Sequence, residues 1–206
     1  MSLQFGELNI TPRVEERLAE LGYTPEELQE AVSEHKSGCD GEPSVYVGTY
    51  GKYNEGSLCG LWIDLSSFSD YDEFIDFCNA IHADEEDPEL MAQDYEAFPR
   101  QWYNEGFMSE EDFDHIQEYT ELCDKYDVDA VDDYMEFADE LDNFEEAYCG
   151  EWDSEEDFAR HIVNECYNLE KLMGDLSRYF DYEAFGRDLF MWDYNMGANN
   201  HVFRRI

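Results

Sequence analysis

The sequence predicts an α+β protein that is divided into three small domains and preceded by a helical extension. Apolar residues recur every three or four positions in several stretches, which predicts amphipathic helices. Short runs of β-branched and aromatic residues flank loops that contain glycine and asparagine, which predicts strand hairpins. The chain has 206 residues, a length that accommodates two or three small domains.

Residues 1–42 are predicted to form the N-terminal helical extension. Thr11 is a candidate cap for a first short helix. Thr24 and Glu27 flank a proline in the pattern of a capping box, which predicts the start of a second helix. The segment 38–43, rich in glycine and ending in proline, is predicted to be a linker. Two helices of this size bury little apolar surface alone, so the pair is suited to docking on another surface.

Residues 43–100 are predicted to form the first domain, an α+β unit that opens with a β-hairpin. Its loop contains three glycines and one asparagine, and strand-like segments lie on either side of it. Pro99 closes the unit. The predicted order is a strand at 45–47, a loop at 48–56, a strand at 57–65, a helix capped by Ser69, and a third strand at 90–96.

Residues 101–150 are predicted to form the second domain, an acidic helical unit. The stretch 101–158 contains 23 Asp and Glu residues and one basic residue, Lys125. Ser109 is expected to open the first helix ahead of three acidic residues, which suit a helix N-terminus. The outward surface of these helices is therefore predicted to be almost wholly carboxylate. Their apolar faces are Phe113, Ile116, Tyr119, Cys123 and Tyr126, and then Val128, Val131, Met135, Ala138 and Leu141.

Residues 151–206 are predicted to form the third domain, of mixed α and β structure. Gly150 interrupts the preceding pattern, and Ser154 is expected to open a new helix. A further helix is predicted from an apolar series at helical spacing. Strands at 189–194 and 201–206 are expected to pair as a hairpin. The apolar series is Leu169, Leu172, Leu176 and Phe180.

The charge balance restricts the partners that this protein can have. It carries 53 acidic and 12 basic residues, a formal net charge of −41. Binding to nucleic acid phosphates or to anionic membrane surfaces requires the opposite sign. The predicted partner is a strongly basic protein surface, and DNA- or RNA-binding clefts are the commonest of these. We see no signal peptide or long apolar run and no paired cysteine motif, so we expect a cytoplasmic protein with reduced cysteines.

No motif predicts a catalytic, cofactor-binding or metal-binding residue. Gly51 and Lys52 lack the other residues of a phosphate-binding loop. The aspartates from Asp124 to Asp133 lack the central glycine of a calcium loop, and the histidines are scattered without zinc-ligand spacing. With 53 acidic residues, a carboxylate pair can always be found and indicates nothing. A divalent-metal hydrolase is therefore the least favoured of three alternatives.

The acidic stretch is better explained by binding than by solvation. Ordinary solvated helix faces intersperse Lys and Arg, which pair with acids four residues away. The stretch 101–158 contains 23 acidic residues and one basic residue, so such pairs do not relieve the repulsion between its carboxylates. A net charge of −41 equals the charge on about 70 Å of duplex DNA, roughly 20 base pairs.

Three landmarks in the sequence resemble a known family. They are the segment YVGTYGKYNEGSLCGLW at 46–62, the triplet DYE at 94–96 followed by Pro99, and the segment DYEAFGRDL at 181–189. They occur in the order found in the ArdA antirestriction proteins, and the resemblance covers about 43–206. The extension 1–42 lies outside it. The tripeptide at 173–175 also lacks the proline that members usually carry near this point.

The resemblance implies an elongated chain of three small domains that forms a homodimer and mimics bent duplex DNA. Such proteins are encoded on mobile genetic elements, including plasmids and conjugative transposons. They occupy the DNA-binding cleft of type I restriction–modification enzymes, both methyltransferase core and endonuclease, and block restriction and often modification. The resemblance implies no catalytic residue, no cofactor and no direct contact with nucleic acid or membrane.

Two sets of residues are assigned under this interpretation, and one alternative partner stays open. The alternative is an acidic interaction module that binds another basic DNA-binding protein. The phosphate surrogates are Glu110, Glu111, Asp114, Glu118, Glu121, Asp132, Asp133, Glu136, Asp139 and Glu140. The dimer contact carried over from the family lies at about 159–182, with Ile162, Val163, Leu169, Leu172 and Met173 as its apolar candidates.

Overall fold

The structure is a computed structural model that describes residues 10–35 and 41–206. The chain folds as two compact units, of which the first extends to Thr120 and the second spans Glu121–Ile206. The predicted α+β class is confirmed, because helices and small sheets occur together. The arrangement in three domains stays a prediction. Residues 38–40 of the predicted linker, and residues 1–9 and 36–40 of the predicted extension, lie outside the described residues.

The first unit combines helices with one antiparallel sheet. It also contains two short 3-10 turns, at Leu65–Ser67 and Arg100–Trp102. The boundary between the units falls inside the helix Glu110–Lys125, whose last residues belong to the second unit. In chain order the elements are α1 (Pro12–Glu20), α2 (Pro25–His35), β1 (Ser44–Thr49), α3 (Tyr50–Asn54), β2 (Leu61–Asp64), α4 (Tyr71–Ile81), β3 (Leu90–Glu96) and α5 (Glu110–Lys125).

The sheet of the first unit has the strand order β2-β1-β3, and both pairs are antiparallel. The predicted hairpin is confirmed, and the third strand has the predicted bounds, 90–96. The predicted loop at 48–56 is in part helical. Helix α3 forms there because Thr49 Oγ1 accepts a hydrogen bond from Lys52 N at 3.2 Å and caps the turn.

Helix α4 begins one residue later than the sequence suggested. Asp70, and not Ser69, is its N-cap, because the Asp70 carboxylate accepts a hydrogen bond from Glu73 N at 2.9 Å. Ser69 completes a reciprocal arrangement by donating its N–H to the Glu73 carboxylate at 2.9 Å. The predicted helix is therefore present, and both Ser69 and Asp70 make hydrogen bonds that stabilise its N-terminus.

The core of the first unit lies between the sheet and helices α4 and α5. Every residue of β1 is buried, and α4 contributes the buried Phe74 and Phe77. The ring of Phe113 in α5 stacks on Phe74 with centroids 5.6 Å apart. Burial of one such side chain contributes about 1.5–3 kcal/mol. These contacts fix the orientation of α5, so its opposite face is turned to solvent.

The N-terminal helices are part of the first unit. Val14, Leu18, Leu28 and Val32 are buried. The Arg17 guanidinium donates a hydrogen bond to the Glu85 carbonyl oxygen at 2.9 Å, beyond the end of α4. The pair therefore docks on the surface formed by β2 and α4. The capping box predicted for α2 is confirmed, because Thr24 and Glu27 exchange hydrogen bonds at 2.8 and 3.2 Å.

The second unit also combines helices with a small antiparallel sheet. It contains a 3-10 segment at Gly174–Tyr179. In chain order the elements after α5 are α6 (Val128–Met135), α7 (Phe144–Ala147), β4 (Tyr148–Glu151), α8 (Glu155–Cys166), α9 (Leu169–Met173), α10 (Tyr182–Trp192), β5 (Tyr194–Met196) and β6 (His201–Arg204).

The sheet of the second unit has the order β4-β6-β5, with antiparallel pairs. The C-terminal hairpin is confirmed, but residues 189–192 continue α10 and are not strand. The predicted helical series from Val128 to Leu141 is also shorter than expected, because α6 ends at Met135. Strand β4 was not predicted, since its partner β6 lies some fifty residues further along the chain.

The core of the second unit is aromatic. The ring of Phe203 in β6 lies 5.2 Å from that of Tyr134 and 5.9 Å from that of Phe144, between centroids. Helices α8 and α10 pack closely because residue 186 is glycine. A Cβ atom at Gly186 would lie 2.9 Å from the Glu155 carbonyl oxygen. This explains why the segment 181–189 needs glycine at that point.

Candidate partner-binding surface

Helix α5 presents carboxylates on the face opposite its buried side chains. Phe113 and Ile116 are buried, while Glu110, Glu111 and Asp114 are exposed. Ser109 starts the helix through a reciprocal cap, donating its N–H to the Asp112 carboxylate at 3.0 Å and accepting from Asp112 N at 3.2 Å. Glu110, Glu111 and Asp114, which are candidate phosphate surrogates, therefore lie on the exposed face of an amphipathic helix. Glu118, on the same helix, is half-buried.

The second unit carries the other candidate surrogates. Five of them are exposed: Glu121, Asp132, Glu136, Asp139 and Glu140. Asp127 is the N-cap of helix α6, because its carboxylate accepts a hydrogen bond from Asp129 N at 3.0 Å. Other exposed acids were not singled out from the sequence, although they belong to the same acidic stretch. They are Asp124, Asp127, Asp129, Asp142, Glu145, Glu146, Glu151, Asp153, Glu155 and Asp157.

Asp133 does not belong to this surface, which corrects its assignment as a phosphate surrogate. Only 1% of the residue is exposed. Its carboxylate accepts hydrogen bonds from Asn199 N at 3.0 Å, from Asn199 Nδ2 at 3.0 Å and from His201 N at 3.3 Å. Asp133 thus holds the turn between β5 and β6. Its position three residues after Ala130 puts it on the face of α6 that carries this buried residue, and this spacing is the sequence signal for an inward side chain.

Several cations in the described part of the chain are engaged in local pairs. Lys125 Nζ lies 3.4 Å from a Glu145 carboxylate oxygen, and Arg187 lies 3.9 Å from Glu183. The Arg160 guanidinium pairs with Glu156 and lies 4.2 Å from the centroid of the Tyr182 ring. Exposed pairs of this kind contribute at most about 1 kcal/mol. They neutralise few of the carboxylates in the acidic stretch, so its surface stays strongly negative.

Lys52 is the cation of a half-buried cluster at the end of α4. Its Nζ lies 3.0 Å from His82 Nδ1, 3.0 Å from Asp84 Oδ1 and 3.4 Å from Glu85 Oε1. Burial, and then the neighbouring Lys52 charge, lower the pKa of His82 to about 4. His82, Asp84 and Glu85 are close enough together to hold a metal ion. The Lys52 ammonium already lies among their ligand atoms, so we assign no metal to this cluster.

The candidate dimer residues divide into two groups. Val163 is 2% exposed and packs inside the second unit, so its assignment to the dimer contact is corrected. Ile162 and Leu169 are half-buried. Leu172 and Met173 are exposed, with 67% of Leu172 open to solvent. Tyr179 was not among the dimer candidates predicted from the sequence. It lies shortly after Met173 in the chain and is 71% exposed.

These features describe a protein with carboxylate-rich helical surfaces and an exposed apolar segment in its second unit. Comparison with known families gives the particular class. A family model described as "Antirestriction protein (ArdA)" matches residues 45–203. The chain therefore belongs to the ArdA family of antirestriction proteins, and the resemblance seen in the sequence is confirmed. A search of curated proteins finds no significant match. Within the described residues, no helix has the length and apolar character needed to span a membrane.

We expect the substitution Asp133→Asn to destabilise the second unit. The amide would place a donor group against N–H donors, and leaving such buried groups without acceptors costs about 1–3 kcal/mol. The measurement is the free energy of unfolding by chemical denaturation. Asp139→Asn, at an exposed acid of the same unit, is the matched control and is expected to change stability by less than about 0.5 kcal/mol. Equal stability of the two variants would contradict the role given to Asp133.

Proposed function

We propose that this protein inhibits type I restriction–modification enzymes by mimicking duplex DNA. The family supports an antirestriction protein, an inhibitor and not an enzyme. The observation that carries the mechanism is that α5 and, taken by itself, the acidic part of the second unit each expose many carboxylates. These groups would take the places of backbone phosphates in the basic cleft of the methyltransferase core and endonuclease.

Charge spacing supports this proposal. Duplex DNA carries one charge per about 1.7 Å of its axis. Carboxylates on adjacent helical turns lie about 5–6 Å apart, so one acidic helix face carries several charges within the length of a few base pairs. Binding would release the anions held by the basic cleft, in the way that DNA binding releases cations. The affinity then comes from the sum of many weak contacts, and no single carboxylate dominates.

We also propose that the protein acts as a homodimer through the segment at about 159–182. This segment contains four acidic and three basic residues, so it is nearly neutral in a chain of net charge −41. Two copies can approach here with little repulsion. Leu172, Leu176 and Tyr179 are exposed in the same segment and would be buried by the second copy. Such a dimer carries the charge of about 40 base pairs of duplex.

Neutralising exposed carboxylates tests the mimicry directly. The variant combines Glu→Gln and Asp→Asn changes at Glu110, Glu111, Asp114, Glu121, Glu136 and Asp139, all of which are exposed. The concentration needed for half-inhibition of a type I enzyme should rise by roughly tenfold to a hundredfold. The slope of log affinity against log salt should become shallower by roughly one per contacting charge removed.

The matched control keeps the charge at the same six positions by exchanging Glu for Asp and Asp for Glu. It should inhibit as the unaltered protein does. Unchanged inhibition by the neutralised variant, with an unchanged salt slope, would contradict DNA mimicry. Inhibition of neither restriction nor methylation by the unaltered protein would favour a different basic DNA-binding partner.

The dimer is tested with the double variant Leu172→Asp and Leu176→Asp. Two charges at an apolar contact should weaken self-association by at least about a hundredfold, since central contacts each contribute about 2 kcal/mol or more. Sedimentation equilibrium measures the association constant. Leu58→Asp, at an exposed leucine of the first unit, is the control and should leave the dimer intact. A dimeric double variant, or an unaltered protein that is monomeric at micromolar concentration, would contradict this interface.

A further inference from the structure

We propose that the segment 164–181 of the second unit folds only when a second copy of this chain covers it. The structure describes every residue of this segment, and none of them is buried. The segment nevertheless has a defined conformation, in which α9 is followed by the 3-10 segment Gly174–Tyr179. These two elements contact each other more than they contact any other described helix or strand. This inference rests on the proposed dimer and adds a folding step to it.

The segment is held by a local cap and by ring contacts at its two ends. Asn168 Oδ1 accepts a hydrogen bond from Lys171 N at 2.9 Å and caps α9. The rings of Tyr167 and Phe180 lie 6.3 and 5.6 Å from that of Phe185 in α10, between centroids. An isolated α-helix shorter than about 12–15 residues is marginal in water, and 3-10 helices rarely exceed about four residues. The segment therefore needs further contacts to keep this conformation.

The exposed side chains of the segment indicate which partner supplies those contacts. Its exposed large apolar residues are Tyr167, Leu172, Met173, Leu176 and Tyr179. Covering them removes apolar surface from water, which favours ordering of the segment on binding. The segment carries four acidic and two basic residues, so two copies meet here with little repulsion. A basic DNA-binding cleft gains little attraction from so weakly charged a surface, which makes a second copy the better occupant.

Gly174 joins the two elements of the segment and makes the folding step testable. Its backbone has a φ of 57° and a ψ of −133°, a conformation in which any residue with a side chain is strained. A Cβ atom at this position would meet no described atom within 4 Å. The substitution Gly174→Ala therefore disfavours the folded segment without removing a contact of the dimer.

The first experiment follows hydrogen exchange of the full chain by mass spectrometry. It is performed well below and well above the dimer dissociation constant that sedimentation equilibrium gives. Peptides from 164–181 report on the segment, and peptides from α8, which carries the buried Phe158 and Val163, are the internal reference. We expect exchange in the segment to be slower by roughly tenfold or more in the dimer, with exchange in α8 unchanged.

The second experiment measures dimerisation and monomer stability of two glycine variants. Gly174→Ala should raise the dissociation constant of the dimer by roughly tenfold or more and leave the unfolding free energy of the monomer unchanged. Gly22→Ala is the matched control, because Gly22 also has a positive φ, 84°, and its Cβ would meet no described atom within 4 Å. It should destabilise the first unit and leave the dissociation constant unchanged.

The outcomes separate this inference from the proposed dimer. A protein that dimerises but protects the segment equally as monomer and as dimer would overturn the inference and leave the dimer in place. A Gly174→Ala variant that loses monomer stability, or that dimerises as the unaltered protein does, would overturn it as well. Protection that arises only when a type I enzyme is added would assign the segment to another partner and overturn it. A protein that stays monomeric at every concentration would overturn the dimer and this inference together.

Discussion

Repulsion among carboxylates is the constraint on which the rest of this structure depends. A net charge of −41 opposes compaction, and the few ion pairs relieve little of it. Each unit counters the repulsion with an aromatic core. In the first unit Phe74 is packed against Phe113, and in the second Phe144 lies against Phe203. Helices that bury one face in such cores can hold acids on the other face in fixed positions.

Local compensation of individual charged groups also limits the repulsion inside each unit. Asp133 is buried but faces several N–H donors, so its charge is compensated locally. Lys52 places a cation among His82, Asp84 and Glu85. Helix starts at Ser109 and Ser154 use side-chain caps, which support short helices that propensity alone would not stabilise. Acids at these points are structural, whereas those on the open faces are available to a partner.

Local signals in the sequence predicted most of the helices and strands. Capping residues predicted the starts of α2, α5 and α8, and short runs of β-branched and aromatic residues beside a glycine-rich loop predicted the first sheet. Long-range contacts account for what was missed. Strand β4 exists because β6 pairs with it, and Val163 is buried by packing within the second unit. Asp133 shows the limit for the candidate surface. Composition counts every acid alike, and only the helix face that Asp133 shares with the buried Ala130 separates it from Asp132.

If this protein mimics DNA, its acidic surfaces and duplex DNA occupy one site on a type I enzyme. A competition measurement tests this with the methyltransferase core, a labelled duplex that carries its recognition sequence, and the unlabelled protein. We expect complete displacement of the duplex along a competitive isotherm, with no species containing all three components. A stable ternary complex, or inhibition while the duplex stays bound, would contradict it.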